Sequence, residues 1–188
     1  MIFPADIRLS LVGGYFVVPT LKHMNTTVNT PVITADDLLK NWQGHRGLSR
    51  RVLEAFPEKE LFEFSIGGMR PYSQLAGEML GLASAGVNGI VTGKWETRPE
   101  WNPFSETLAI KTKAEFLAAW DSVTEQIDEL WPQIPAEHFN ETVNAYGLYS
   151  NTVTNTIVYL LDNEVHHRGQ GYVYLRALGI EPPAFWER

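Results

Sequence analysis

The segment Asp162-Asn163-Glu164-Val165-His166-His167-Arg168-Gly169-Gln170-Gly171 holds the densest run of reactive side chains in the chain. If it is helical, Asn163 and His167 are four apart and stand one turn from each other on one face. Glu164 and His167 are three apart and are also neighbours. Pairs placed this way can present two ligands to one metal ion. The plainer alternative is a solvated His/Arg face near a helix end. It is opposed by the position of Asn163 and His167 one turn from apolar Leu160 and Tyr174. Gly169 and Gly171 each weaken a helix interior by roughly 0.5–1 kcal/mol relative to Ala. Two glycines there predict close approach of another helix or of a ligand.

Other chemistry is sparser. His45, beside Arg46, could face the centre of a helical bundle as a substitute ligand, although a lone histidine also reads as a satisfied core or surface residue. His23 and His138 lie outside the helical patterns, lack a ligand-spaced partner and are expected to be exposed. Glu164-x-x-His167 matches half of the pattern of di-iron carboxylate bundles, but no second copy exists. There is no His-Glu-x-x-His, no Gly-x-Ser-x-Gly and no phosphate-cradling loop, so nucleotide hydrolysis and serine-hydrolase chemistry have no support. The absence of cysteine excludes a thiol nucleophile, a cysteine zinc site and a cysteine-held iron–sulfur cluster.

Four helical segments must position these residues. The first follows Thr34, with Asp36 and Asp37 in its first turn, where carboxylates favour the helix dipole. Leu38, Leu39, Trp42, Arg46, Ser49, Val52, Leu53 and Phe56 recur at helical spacing, and Pro57 stops the pattern. The second starts at Pro71 and carries Leu75, Glu78, Met79, Leu82, Gly86 and Ile90 to about Thr92. The third opens on a capping box, Thr112 to Glu115, and runs through Phe116, Trp120, Val123 and Ile127 to Pro132. The fourth spans about Asn151 to Leu178, with Gly179 as its C-cap glycine. Between them some strand content is possible, but no clean alternation appears. Four long amphipathic helices with two long connections predict an all-α four-helix bundle. The connections, roughly 93–111 and 132–150, hold Trp95, Trp101, Phe104, Phe139, Val143, Tyr146 and Tyr149. Aromatic side chains pinning loops to the bundle are the simple reading; a lid or a dimer surface is the alternative.

The chain has 188 residues, 44% of them apolar, with 15 Lys and Arg against 22 Asp and Glu for a formal charge of −7. That balance suits one globular domain and opposes phosphate-driven binding to nucleic acid or anionic membrane. The apolar stretch Leu9 to Pro19 is too short to span a bilayer and lacks the flanks of a signal peptide. The expected organisation is an N-terminal extension over 1–23, with a translation start at Met24, and a single domain over 24–188. A cytoplasmic location is expected.

The run His166-His167-Arg168-Gly169-Gln170, continued by Tyr172-Val173-Tyr174-Leu175-Arg176-Ala177-Leu178-Gly179-Ile180-Glu181-Pro182-Pro183, resembles the last helix of the DinB/YfiT-like superfamily. Met69-Arg70-Pro71-Tyr72 followed by Leu75 resembles the start of that family's second helix. The resemblance extends from about residue 35 onward and is strongest in the last helix. It implies a DinB-like four-helix bundle with long connecting loops, usually a homodimer. Members often hold a divalent metal on three histidines, one on the second helix and two on the fourth. In this chain the matching positions are Glu78, Asn163 and His167, so only one histidine stands. One imidazole, one carboxylate and one amide make a harder, weaker set than three imidazoles, more tolerant of manganese, iron or magnesium than of nickel or zinc. Glu164 could add a carboxylate, and His166, Arg168, Gln170 and His45 would stand near the pocket. Equally, Glu78 could pair directly with His167 in a metal-free site.

The resemblance implies one function, and the departure from it at two of three histidine positions favours another. One is metal-assisted group transfer involving a small-molecule thiol, on Ni, Zn, Mn or Fe, with the thiol supplied from outside. The other is a non-catalytic, metal-free module that binds a small molecule or serves as a dimeric structural unit.

Overall fold

The computed structural model describes residues 32–97, 101 and 109–188, together with the short strands β1 (Leu11–Val12) and β2 (Tyr15–Phe16). The chain divides into two units, Met1–Val32 and Ile33–Arg188. In the first, β1 pairs antiparallel with β2, Leu11 opposite Phe16 and Val12 opposite Tyr15. The expected extension, with its start at Met24, otherwise lies outside the described residues, as do His23 and Phe104.

Among the described residues the second unit has five α-helices: α1 (Ala35–Ala55), α2 (Glu58–Glu63), α3 (Tyr72–Thr92), α4 (Lys113–Leu130) and α5 (Val153–Ala177). The four long ones match the helical periodicities to within a few residues, and the fold is all-α as expected. Local signals set their ends. The Thr34 side chain accepts from the Asp37 N–H while the Asp37 carboxylate accepts from the Thr34 N–H, and Thr112 and Glu115 do the same for α4. α1 stops where Pro57 holds Phe56 in extended backbone. α5 ends with Gly179 at φ 75°, its N–H donating to the Arg176 carbonyl and that of Ile180 to Leu175.

α3 packs on α5 and α4, and α1 packs on the same two helices from the other side. α3 is buried almost all round, because Ala76, Gly77, Gly81, Ala83, Ala85, Gly86 and Gly89 let its neighbours come close. Trp42, Leu53, Phe56, Tyr72, Leu80, Phe116, Trp120, Ile127, Ile157 and Leu175 fill the space between the helices and are almost inaccessible.

Two elements have no position assigned by the sequence patterns. α2 is a single short amphipathic turn that buries Leu61. Strands β3 (Thr142–Ala145) and β4 (Tyr149–Thr152) form an antiparallel hairpin within the second long connection. Its turn holds Tyr146 at φ 57°, an uncommon conformation for a side chain of that size. The Tyr146 hydroxyl donates to the Leu82 carbonyl at 2.8 Å and its ring meets Trp95 edge-on. Phe139 packs on Trp131, and Trp101 is buried. Among the described residues, Trp95, Phe139 and Tyr146 thus pin the connections to the helices, as the simple reading held.

Candidate functional site

Glu78, Asn163 and His167 meet between α3 and α5. α5 stacks Asn163 and His167 one turn apart, and Glu78 projects from the facing side of α3. Glu78 Oε1 accepts from Asn163 Nδ2 at 3.1 Å and lies 3.0 Å from His167 Nε2. Glu78 Oε2 accepts from Arg70 Nη2 at 2.6 Å. Arg70 is held in place because the buried Tyr174 of α5 donates its hydroxyl to the Arg70 carbonyl at 2.8 Å. The other face of the His167 ring is also engaged, with Nδ1 2.7 Å from Gln170 Oε1. The hydrogen bond with His167 is the largest of several that hold the Glu78 carboxyl down at about 2; those from Arg70 and Asn163 add to it, and partial burial opposes them.

These residues do not fit a divalent metal. Both ring nitrogens of His167 lie within hydrogen-bond distance of oxygen atoms, so a cation would have to displace one of these contacts to reach the ring. Asn163 turns its amide N–H toward Glu78, where a metal would need the amide oxygen. The Arg70 guanidinium already supplies positive charge to the carboxylate that a metal would have to share. Among the described residues no group of three or more His, Cys, Asp and Glu side chains could hold an ion. Glu78 and His167 are thus in direct contact across the two helices.

The remaining sequence-selected residues separate around α5. Glu164 turns away from Glu78 toward α1, where it accepts from Ser49 Oγ at 2.7 Å and lies 3.5 Å from Arg46 Nη1. Arg46 is fully buried; its guanidinium lies 3.8 Å over the Trp120 ring and donates to the Trp120 carbonyl and to Thr124 Oγ1. Burial pulls the Arg46 guanidinium below its ordinary value, and the Glu164 charge works against that fall. Arg168 donates to Ser49 Oγ at 3.1 Å and lies 2.9 Å from His45 Nδ1. His45 is not near Glu78. It is wedged between Arg168 and Arg188, whose Nη1 is 3.0 Å from His45 Nε2. Burial first, and then the two arginines, push the His45 imidazole down to about 4, so it is neutral at pH 7. His166 is exposed, touching only the edge of the His167 ring. His138, expected to be exposed without a partner, is half-buried between Glu141 and the Ile90 carbonyl.

The two glycines behave differently. A Cβ on Gly171 would come within 2.5 Å of the Tyr72 ring, so α3 and α5 approach closely there as expected. A Cβ on Gly169 would meet nothing within 4 Å. Sequence reasoning named Arg46 and Arg70 only as parts of a stripe and a motif. A charged residue within an otherwise apolar stripe was the available signal for Arg46. Nothing in the spacing of Arg70 and Glu78, eight residues apart across a helix start, announces their contact.

The fold and this polar seam can be set beside known proteins. Solved structures share the fold. A DinB-like protein from Bacillus cereus has a TM-score of 0.67 and 14% identity, over 80% of this chain and 97% of that one. A DinB-like protein from Bacillus subtilis has a TM-score of 0.61 and 18% identity, over the same shares. Comparison with curated protein sequences finds no match. The family model described as the DinB family matches residues 24–188, which takes in all five helices and the Glu78–His167 seam, and the chain belongs to that family.

Proposed function

We propose that this chain is a metal-independent DinB family member that acts by binding a small molecule. In this reading the seam of Glu78, Asn163, His167 and Arg70 is a clamp between α3 and α5. The observation that carries it is the Arg70 guanidinium lying 2.6 Å from Glu78 Oε2. A resident cation on that carboxylate does the electrostatic work that a divalent ion would otherwise do, and it repels such an ion. Metal-assisted transfer to a thiol would require Glu78 Oε1 to give up His167 and Asn163, both of which favour the ionised carboxylate in its present place.

The test is elemental analysis of protein purified without a His-tag and without chelator, beside the His167→Ala variant. Melting curves with and without EDTA, and after incubation with manganese, iron, nickel or zinc, complete it. A ligand of the native state raises the melting temperature by mass action. The expected result is no stoichiometric metal and melting curves that ignore both chelator and added ions. A near-stoichiometric transition metal that disappears in His167→Ala overturns the reading and returns the site to metal-assisted transfer.

A further inference from the structure

α5 presents a second polar face, turned away from Asn163. Successive residues of a helix are rotated by about 100°, which sets Val165 and Tyr172 on the side opposite Asn163. Between this side and the segment 181–186 lies a cavity of about 630 Å3. That volume is in the range of small-molecule sites. Val165, Arg168, Tyr172 and Arg176 form one wall, and Pro183 and Trp186 contribute to the other. The segment is fastened to α1: Arg51 donates to the Glu187 carbonyl, and Arg188 reaches His45. Gly44 allows this approach, since a Cβ there would lie 3.3 Å from the Arg188 Cβ.

The electrostatics of the cavity are unbalanced. Arg168 is only 6% exposed. Its partners are the Ser49 hydroxyl, the His45 carbonyl and the neutral His45 ring, none of them an anion. The buried carboxylate of Glu164 is engaged by Ser49 and Arg46 instead. Among the described residues no carboxylate stands within ion-pair distance of Arg168. Burial lowers the Arg168 guanidinium below its ordinary value; the Glu164 charge partly offsets that fall and the Arg188 charge adds to it. A buried cation whose counter-charge is shared with a second arginine is costly, and a ligand anion offsets that cost. Tyr172 adds a donor: its hydroxyl is buried and has no hydrogen-bond partner. Burial raises the Tyr172 phenol, which keeps that proton in place. At the mouth, Arg176 is paired with Glu181 at 3.7 Å. Two arginines and one glutamate leave the lining one net positive charge, which selects a monoanion over a polyphosphate. Phe185 and Trp186, meeting edge-on at 5.2 Å and largely exposed, supply apolar surface at the rim.

We propose that this cavity binds a small organic monoanion, a carboxylate on an aromatic or aliphatic body. The carboxylate is held by Arg168 and Tyr172, and the body lies against Val165, Pro183 and Trp186. This names the ligand class for the binding part of the proposed function. It does not depend on the metal content of the Glu78 seam, so metal analysis and ligand titration fail separately.

The experiment is calorimetric titration of the full chain with phenylacetate and octanoate, each beside its uncharged amide. The expected result is that the acids bind at least tenfold more tightly than the amides. Arg168→Met should abolish that preference. Because Arg168 is buried and its loss can unfold the chain, Gly169→Leu provides a second variant. Gly169 lines the cavity and a side chain there enters open space, so the variant should fold, by its circular dichroism melt, and block both acid and amide. Equal affinity for acid and amide, no binding of any probe, or unchanged binding to Gly169→Leu overturns the proposal. So does sedimentation showing a dimer that Gly169→Leu dissociates while no carboxylate binds, because a second copy of the chain is then the occupant.

Discussion

Burial ranks the two carboxylates that anchor α5. Glu164 has a side chain that is 2% exposed, and its partner Arg46 is fully buried. Removing one member of such a pair strands the other, and losses of about 3–5 kcal/mol are typical. Glu164→Ala is expected to cost about 3 kcal/mol in urea unfolding. Arg70 is 43% exposed, so solvent screens its bond to Glu78. Arg70→Met is expected to cost about 1 kcal/mol or less. Equal losses in the two variants would contradict the view that α5 is anchored inside the bundle by Glu164 and only clamped at its edge by Glu78. Sequence spacing put Asn163 and His167 on one face, but it could not distinguish these two carboxylates. Glu164 stands in a polar run and Glu78 in an apolar one, yet Glu164 is the more buried, because exposure depends on what packs around them.

Helix contact follows the same logic at the level of elements. α3 and α5 meet where Gly171 faces Tyr72, and Tyr72 cannot retreat because it stacks on Phe56 at 4.5 Å within the core. Gly171→Ala is expected to destabilise the chain by about 1–3 kcal/mol through overpacking, despite the better helix propensity of alanine. Gly169→Ala, two residues away in open space, is expected to stabilise it by about 0.5–1 kcal/mol. Chemical denaturation of both variants checks the pair of opposite signs. Helix ends were legible from local rules because a capping box or a proline acts through its own backbone. The hairpin of β3 and β4 was not legible. Its strands are short and mostly exposed, so they carry no apolar alternation, and its turn depends on a tyrosine anchored to a distant carbonyl.

Across the whole unit, acid stability reports the junction of α1, α5 and the segment 181–188. His45 stands in that junction, facing Arg168 from α5 and Arg188 from the segment, and it titrates near 4 where an unfolded histidine titrates near 6.5. Its folded value is depressed, so protons bind preferentially to the unfolded chain. The stabilisation is complete above pH 6.5 and is lost as pH falls toward 4. The loss is expected to be on the order of 2 kcal/mol across that window. His45→Gln, which keeps an acceptor for Arg168, should flatten this part of the stability–pH profile measured by urea midpoints. A variant with the same slope as the parent would place the acid sensitivity elsewhere. Glu78, held near 2, titrates below this window and does not obscure it.

The sequence alone determined the all-α class, the four long helices with their caps, and the shared face of Asn163 and His167, because each rests on interactions within a few residues of chain. Membership of the family was readable in the last helix for the same reason: its motif is contiguous. Only the tertiary structure decided that Arg70 closes on Glu78, that Glu164 faces Arg46, and that Arg168 borders a cavity against the segment 181–186. These outcomes depend on which helix packs beside which, and on which polar groups lose their water when it does. The energy of a buried charge is set by its surroundings in three dimensions, and spacing along the chain does not contain them.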